Sequence, residues 1–190
     1  MTDIILFSSI FFWIFPAIRQ IKGNYALYFV ILALSDPIIF PSYKFLHIIP
    51  VYTALPLSLL TVFAIKKNDL TKNGNIKLLI VLAVVALIGL IFFSSELKFA
   101  ITLAHLYIIL VLLDRTLTAI NEKSTINLFH LMLILYESTI VLKYIATMTE
   151  FNKGMVYFYL TSAFEALIAI FFTIFKEDSP KIAFPIKTKL

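Results

Sequence analysis

The chain contains no cysteine, which excludes disulfides, thiolate metal sites and cysteine nucleophiles and leaves the redox compartment unmarked. Charge is scarce too: Asp, Glu, Lys and Arg make up only 14% of the residues, against roughly 25% in an ordinary soluble domain. There are four glycines. Gly23, Gly74 and Gly154 fall at expected helix ends and Gly89 lies within a span, a distribution unlike the broken or sliding helices that carriers build with glycine. The three histidines, His47, His105 and His130, have neither HxxxH nor HExxH spacing, so no metal site is expected, and no motif calls for a cofactor.

What fills the chain instead is apolar: 61% of its 190 residues are hydrophobic and the mean hydropathy is +0.98. A soluble fold has too little polar surface to cover such a sequence, which places it among integral membrane proteins. The net charge of +5 lies in short loops between apolar stretches, the distribution of topology determinants; a nucleic-acid partner is not expected.

A spanning helix needs about 20 mainly apolar residues. Seven stretches meet or approach that, at about 2–18, 24–42, 45–65, 78–95, 99–119, 126–148 and 154–175. The first is preceded by Asp3 instead of basic residues and is followed by no small-residue cleavage site, so it is expected to be a retained helix, not a signal peptide. The longest connection, residues 66–77, is polar and basic and carries a turn signal at Asn73-Gly74.

The loops test the spans independently, because basic residues favour the cytoplasmic side. With the N-terminus outside, the inner side holds Arg19, Lys22, Lys66, Lys67, Lys72, Lys77, Arg115, Lys123, Lys176, Lys181, Lys187 and Lys189. The outer side holds Lys44, Lys98 and Lys153, and Lys143 falls within the sixth span. Twelve against three, alternating loop by loop, would be lost with an even number of spans. The predicted fold is therefore an all-α integral membrane protein: a single transmembrane domain over residues 1–190, a seven-transmembrane-helix bundle with its N-terminus outside and its C-terminus cytoplasmic. The expected location is the cell membrane, as a multi-pass protein of the bacterial inner-membrane type.

Pro37, Pro41, Pro50 and Pro56 crowd the second and third spans. Proline removes a backbone donor and clashes with the preceding turn, so kinking or partial unwinding is expected there, or a re-entrant segment.

Ionisable groups at bilayer depth cost about 2.5–3.5 kcal/mol on insertion scales and default to a functional reading. The candidates for a ligand or proton pocket are Asp36, His105, Glu137, Lys143 and Glu165, with Tyr144 beside them. Glu137 and Glu165 are each twelfth in their spans, close to the midplane. His130, Glu137 and Tyr144 recur every seven residues and share a helix face. Lys143 lies about 120° around that helix from Glu137, so each must find a partner on a neighbouring helix. Glu165 sits in a stripe with Thr161, Ser162 and Ala169 that suits close packing, and a short loop joins the last two spans, so Glu137 and Glu165 are expected within reach of each other. Two such carboxylates would not both ionise unless Lys143 or His105 compensated. The equal alternative is that each carboxylate only holds helices together. Ser35-Asp36-Pro37 places a carboxylate beside freed carbonyls, and Asp114-Arg115 reads as an inner-interface charge pair.

Several membrane functions are excluded. Residues 155–175 contain no lysine for a retinal Schiff base, a second membrane aspartate for an aspartyl protease is missing, and no Gly-x-Ser context marks a rhomboid-type serine. With no catalytic motif and no soluble output domain, the expected function is a sensor or accessory subunit with an outward-facing polar pocket, signalling through a membrane or cytoplasmic protein partner, with the lipid bilayer as its surroundings. A proton-coupled small-solute transporter and a lipid-directed enzyme using paired carboxylates are the alternatives.

Overall fold

The computed structural model describes residues 12–70, 72–92, 97–148, 154–179 and 181–183. The described residues are about 85% helical and form seven helices. We label them α1 (described over residues 12–19), α2 (Ala26–Leu46), α3 (Pro50–Lys66), α4 (Lys72–Phe92), α5 (Leu97–Lys123), α6 (Leu128–Met148) and α7 (Gly154–Ile174). A 3-10 turn, Lys67–Asp69, follows α3, and two short strands, β1 (Thr125–Asn127) and β2 (Lys181–Ala183), complete the described elements. Among the described residues, α2, α5 and α6 are long and apolar enough to cross a membrane. Most of the first predicted span, residues 2–11, lies outside the described residues.

The proline-rich hairpin is more regular than its composition suggests. α2 runs unbroken through Pro37 and Pro41, and the unwinding expected there does not occur. The hydroxyls of Ser35 and Ser42 donate to Ile31 O and Ile38 O one turn back, adding bonds on either side of the prolines. The helix stops at His47, whose φ of 52° is left-handed, and Ile48 N closes the end on Ser42 O at 3.1 Å. α3 then begins at Pro50, where a missing N–H costs nothing because the first-turn donors have no helical partner. At α4 the Asn73-Gly74 turn signal is overridden: the helix already starts at Lys72, where a glycine in the first turn costs only about 1 kcal/mol. α5, at 27 residues, extends roughly 40 Å, longer than the ~30 Å hydrocarbon layer.

α3 packs against α2, α4 and α5; α5 also packs on α6, and α6 on α7. α1 joins through Trp13, whose ring lies 4.6 Å from Tyr136 of α6 and 6.5 Å from both Phe29 of α2 and Phe172 of α7. Phe29, Phe129 and Phe172 meet edge to face at 4.9–6.0 Å, all fully buried. Such edge-to-face pairs are worth about 0.5–1.5 kcal/mol each beyond the area they bury.

The end where α1 stops and α2 starts, here called proximal, also gathers the end of α3, the last turns of α5, the start of α6 and the end of α7. Gln20 Nε2 donates to Phe172 O (2.8 Å) and Phe175 O (2.7 Å), occupying carbonyls that the last turn of α7 leaves open. Asn24 donates from its backbone and side chain to the Glu177 carboxylate at 3.0 and 2.9 Å. Asn127 caps α6 by accepting from Phe129 N at 3.0 Å, while its Nδ2 donates to Glu177 O. Beside it β1 and β2 pair antiparallel, Ile126 opposite Ile182. Replacing Asn127 by Ala removes the cap and a bond to the C-terminal segment together. A loss of about 1 kcal/mol, read as a melting point lowered by about 2–4 °C, is expected for the purified protein.

Candidate functional site

The shared face of α6 carries the site. Its central member, Glu137, is 0% exposed, and both carboxylate oxygens are engaged by other helices. The Tyr28 hydroxyl, from α2, donates to Oε1, and His105 Nδ1, from α5, lies 2.5 Å from Oε2. On its other side His105 Nε2 is 3.1 Å from Ser58 Oγ of α3, and that hydroxyl is also 2.9 Å from Ala54 O. One polar chain, Tyr28–Glu137–His105–Ser58, thus threads four helices. Its members are all buried.

Proton counting shows what the chain can do. The Ser58 hydroxyl has one proton and two acceptors in reach, Ala54 O and His105 Nε2. With Glu137 ionised and His105 neutral, Nδ1–H donates to the carboxylate, Ser58 donates to Nε2, and the chain carries one negative charge. With one proton more, the chain is neutral, Nε2 becomes a donor and Ser58 turns to Ala54 O. The two states differ by a full charge at low dielectric, where such a difference weighs heavily. His105 also meets a cavity of about 110 Å³, lined among others by Ser35, Ser58, Thr61, Tyr136 and Tyr144. That is well below the roughly 300–1,000 Å³ of small-molecule sites and suits a few water molecules or a very small solute.

The structure brings three of the sequence candidates together. Glu137 bonds to His105, and the Tyr144 ring lies nearly parallel to the imidazole at 6.5 Å. Lys143 and Glu165 form a separate bridge of 2.7 Å between α6 and α7, both partly exposed. The two carboxylates expected to share a site therefore take different partners: the 120° offset points Lys143 at α7, while His105 and Tyr28 hold Glu137. Asp36 lies within electrostatic range of both Tyr144 and Glu165.

A second polar cluster occupies the proximal end. Arg115 donates to Tyr25 Oη (2.9 Å), Ile65 O (2.7 Å) and Asp69 (2.6 Å), and its guanidinium lies 5.7 Å from the centre of the Tyr25 ring. Its ion-pair partner is Asp69, not the adjacent Asp114, because neighbouring residues on a helix point about 100° apart. Since Tyr25 Oη accepts from Arg115, its own proton is available to His130 Nε2 at 2.9 Å. These groups border a cavity of about 510 Å³ that also reaches Asn24, Asp114 and Glu177. Among the described residues no group of three or more His, Asp or Glu side chains is arranged to hold a metal ion.

Tyr28, Ser58, Tyr25 and Asp69 escape a sequence screen for ionisable groups inside spans. The signal that marks the three hydroxyls is spacing: Tyr25 with Tyr28, and Ser58 with Thr61, are i,i+3 pairs on or beside apolar helices, whereas Asp69 lies in the turn after α3 and carries no such signal. Comparison with protein-family models, with curated proteins and with solved structures finds no match to this chain.

Removing one partner of a buried pair leaves the other uncompensated, at a cost of about 3–5 kcal/mol, whereas replacing both can be neutral. Glu137→Leu alone should therefore lower thermal stability more than Glu137→Leu combined with His105→Leu. Melting curves of the two proteins in the same detergent check this ordering.

Proposed function

We propose that the chain is a seven-span membrane protein, N-terminus outside and C-terminus cytoplasmic, acting as a sensor or accessory subunit that responds to a proton and signals through a partner. The observation that carries this reading is the fully buried Glu137 joined to His105 at the wall of a water-sized cavity. A site of that size accommodates a proton with its water better than an organic ligand. A lipid headgroup does not fit it.

The orientation is supported by the twelve basic residues on the proximal side of the predicted topology against three on the other. In that frame the cavity beside His105 faces the outer half, and the proximal cluster faces the cytoplasm. A change of proton at Glu137 alters what Tyr28 donates to. Tyr28 stands one turn from Tyr25, about 4.5 Å along α2, and Tyr25 holds Arg115 and His130. α2 is thus the element through which the buried pair biases the cytoplasmic surface, where a membrane or cytoplasmic protein would dock. The location that follows is a cell membrane of the bacterial inner-membrane type.

Trp13 is the sole tryptophan and packs on Tyr136, the residue next to Glu137, so it is a built-in reporter. In bilayer nanodiscs, Trp13 fluorescence should show one pH transition that Glu137→Gln removes. Proteoliposomes should show no net proton or solute movement. Flux carried by the protein alone would instead establish the transporter alternative.

A further inference from the structure

The order of groups in the buried chain is hydroxyl, imidazole, carboxylate, each held by the next. Ser58 Oγ is 3.1 Å from His105 Nε2, and His105 Nδ1 is 2.5 Å from Glu137 Oε2. A serine is activated as a nucleophile when a neutral imidazole can take its proton and a carboxylate holds the other ring nitrogen. The Tyr28 hydroxyl, donating to Glu137 Oε1, favours the ionised carboxylate that this arrangement needs. We propose that Ser58, His105 and Glu137 form a hydrolytic triad for carboxylic esters with a short acyl group.

The cavity sets the substrate class. Ser58, His105, Tyr136 and Tyr144 are among the residues that line it, and Leu32, Ile39 and Ile140 give it apolar walls. At about 110 Å³ it admits a carbonyl and a short acyl chain but not the paired chains of a phospholipid. An apolar alcohol portion would remain toward α2 and α6. Tyr136 and Tyr144 line the same cavity, and their phenol groups would donate to a developing oxyanion in place of the backbone N–H groups that helix α3 keeps occupied.

In the reaction, Ser58 Oγ bonds to the ester carbon as its proton passes to His105 Nε2, and Glu137 holds the imidazolium. The carbon–oxygen bond to the alcohol then breaks, and the alcohol leaves with the proton from Nε2, giving an acyl-Ser58. Water, deprotonated by the same imidazole, attacks that ester; the carboxylic acid leaves, and Ser58 recovers its proton. Only the chain state with His105 neutral can start the cycle, so the rate should rise with pH.

This activity uses the side chains of the proton-responsive site but does not depend on the sensor reading. The test treats reconstituted full-length protein with a small alkyl fluorophosphonate between pH 6 and pH 9, locates the adduct by peptide mass spectrometry, and follows p-nitrophenyl acetate hydrolysis in parallel. The expected result is an adduct on Ser58 that forms faster at higher pH, falls at least about 100-fold in His105→Gln, and accompanies ester turnover absent from Ser58→Ala. No adduct on Ser58, an adduct only elsewhere, or labelling indifferent to His105→Gln overturns the triad. If wild-type protein shows the Trp13 transition without an adduct, the triad fails and the sensor stands; an adduct without the transition does the reverse.

Discussion

A carboxylate withdrawn wholly from water must be satisfied by the protein itself, and Glu137 imposes that condition on four helices at once. Its two oxygens require donors, and these come from α2 and α5, with α3 supporting the imidazole from behind. No two of the three partners lie on one helix. Displacing any of these helices would leave a polar group unpaired at low dielectric, at a cost of several kcal/mol. Apolar packing alone is tolerant of sliding in a membrane, where lipid tails are as apolar as leucine side chains. The hydrogen-bonded chain supplies the register that such packing lacks.

Around that centre the molecule is arranged in two polar layers. The first, with Glu137 and His105, is buried and narrow; the other, with Arg115, Tyr25, Asp69 and His130, borders a wide cavity at the proximal end. The first can hold a proton, and the second has the size and mixed charge of a surface that meets another molecule. The buried rings of Phe29, Phe129 and Phe172 pack together beside the second layer, with Phe129 5.7 Å from Tyr25, and the single turn of α2 from Tyr25 to Tyr28 joins the two layers. The proposed sensing through a partner and the proposed acyl transfer at Ser58 would be two uses of the same buried chain, distinguished by which protonation state is the working one.

Much of this was legible in the amino-acid sequence, and the remainder has identifiable physical causes. Hydropathy locates the helical segments because apolar length is a property of the chain alone, though boundaries such as Lys72 and Leu46 depend on end conditions that hydropathy ignores. The face shared by His130, Glu137 and Tyr144 follows from helical periodicity, as does the outward turn of Lys143 toward another helix. Partner choice is different. Nothing in the spacing says whether Glu137 faces Glu165 or His105, because that depends on the order of helices around the bundle. Tyr28 and Ser58 were hidden for another reason: hydroxyls are cheap to bury and do not stand out from an apolar span, yet they complete the chain. The prolines of α2 mislead in the opposite direction, since a helix in an apolar setting keeps its remaining hydrogen bonds even where proline removes one.

The central claim is that His105 and Glu137 behave as one proton-holding unit. Nitrogen NMR of the protein in bilayers, with its three histidines labelled and His105 assigned by substitution, reads the state of each ring nitrogen directly as pH is varied. The account predicts that both His105 nitrogens change together in a single step and that Glu137→Gln shifts or abolishes that step. A His105 signal that stays constant from pH 5 to pH 9, or that titrates identically with and without the Glu137 carboxylate, would contradict it.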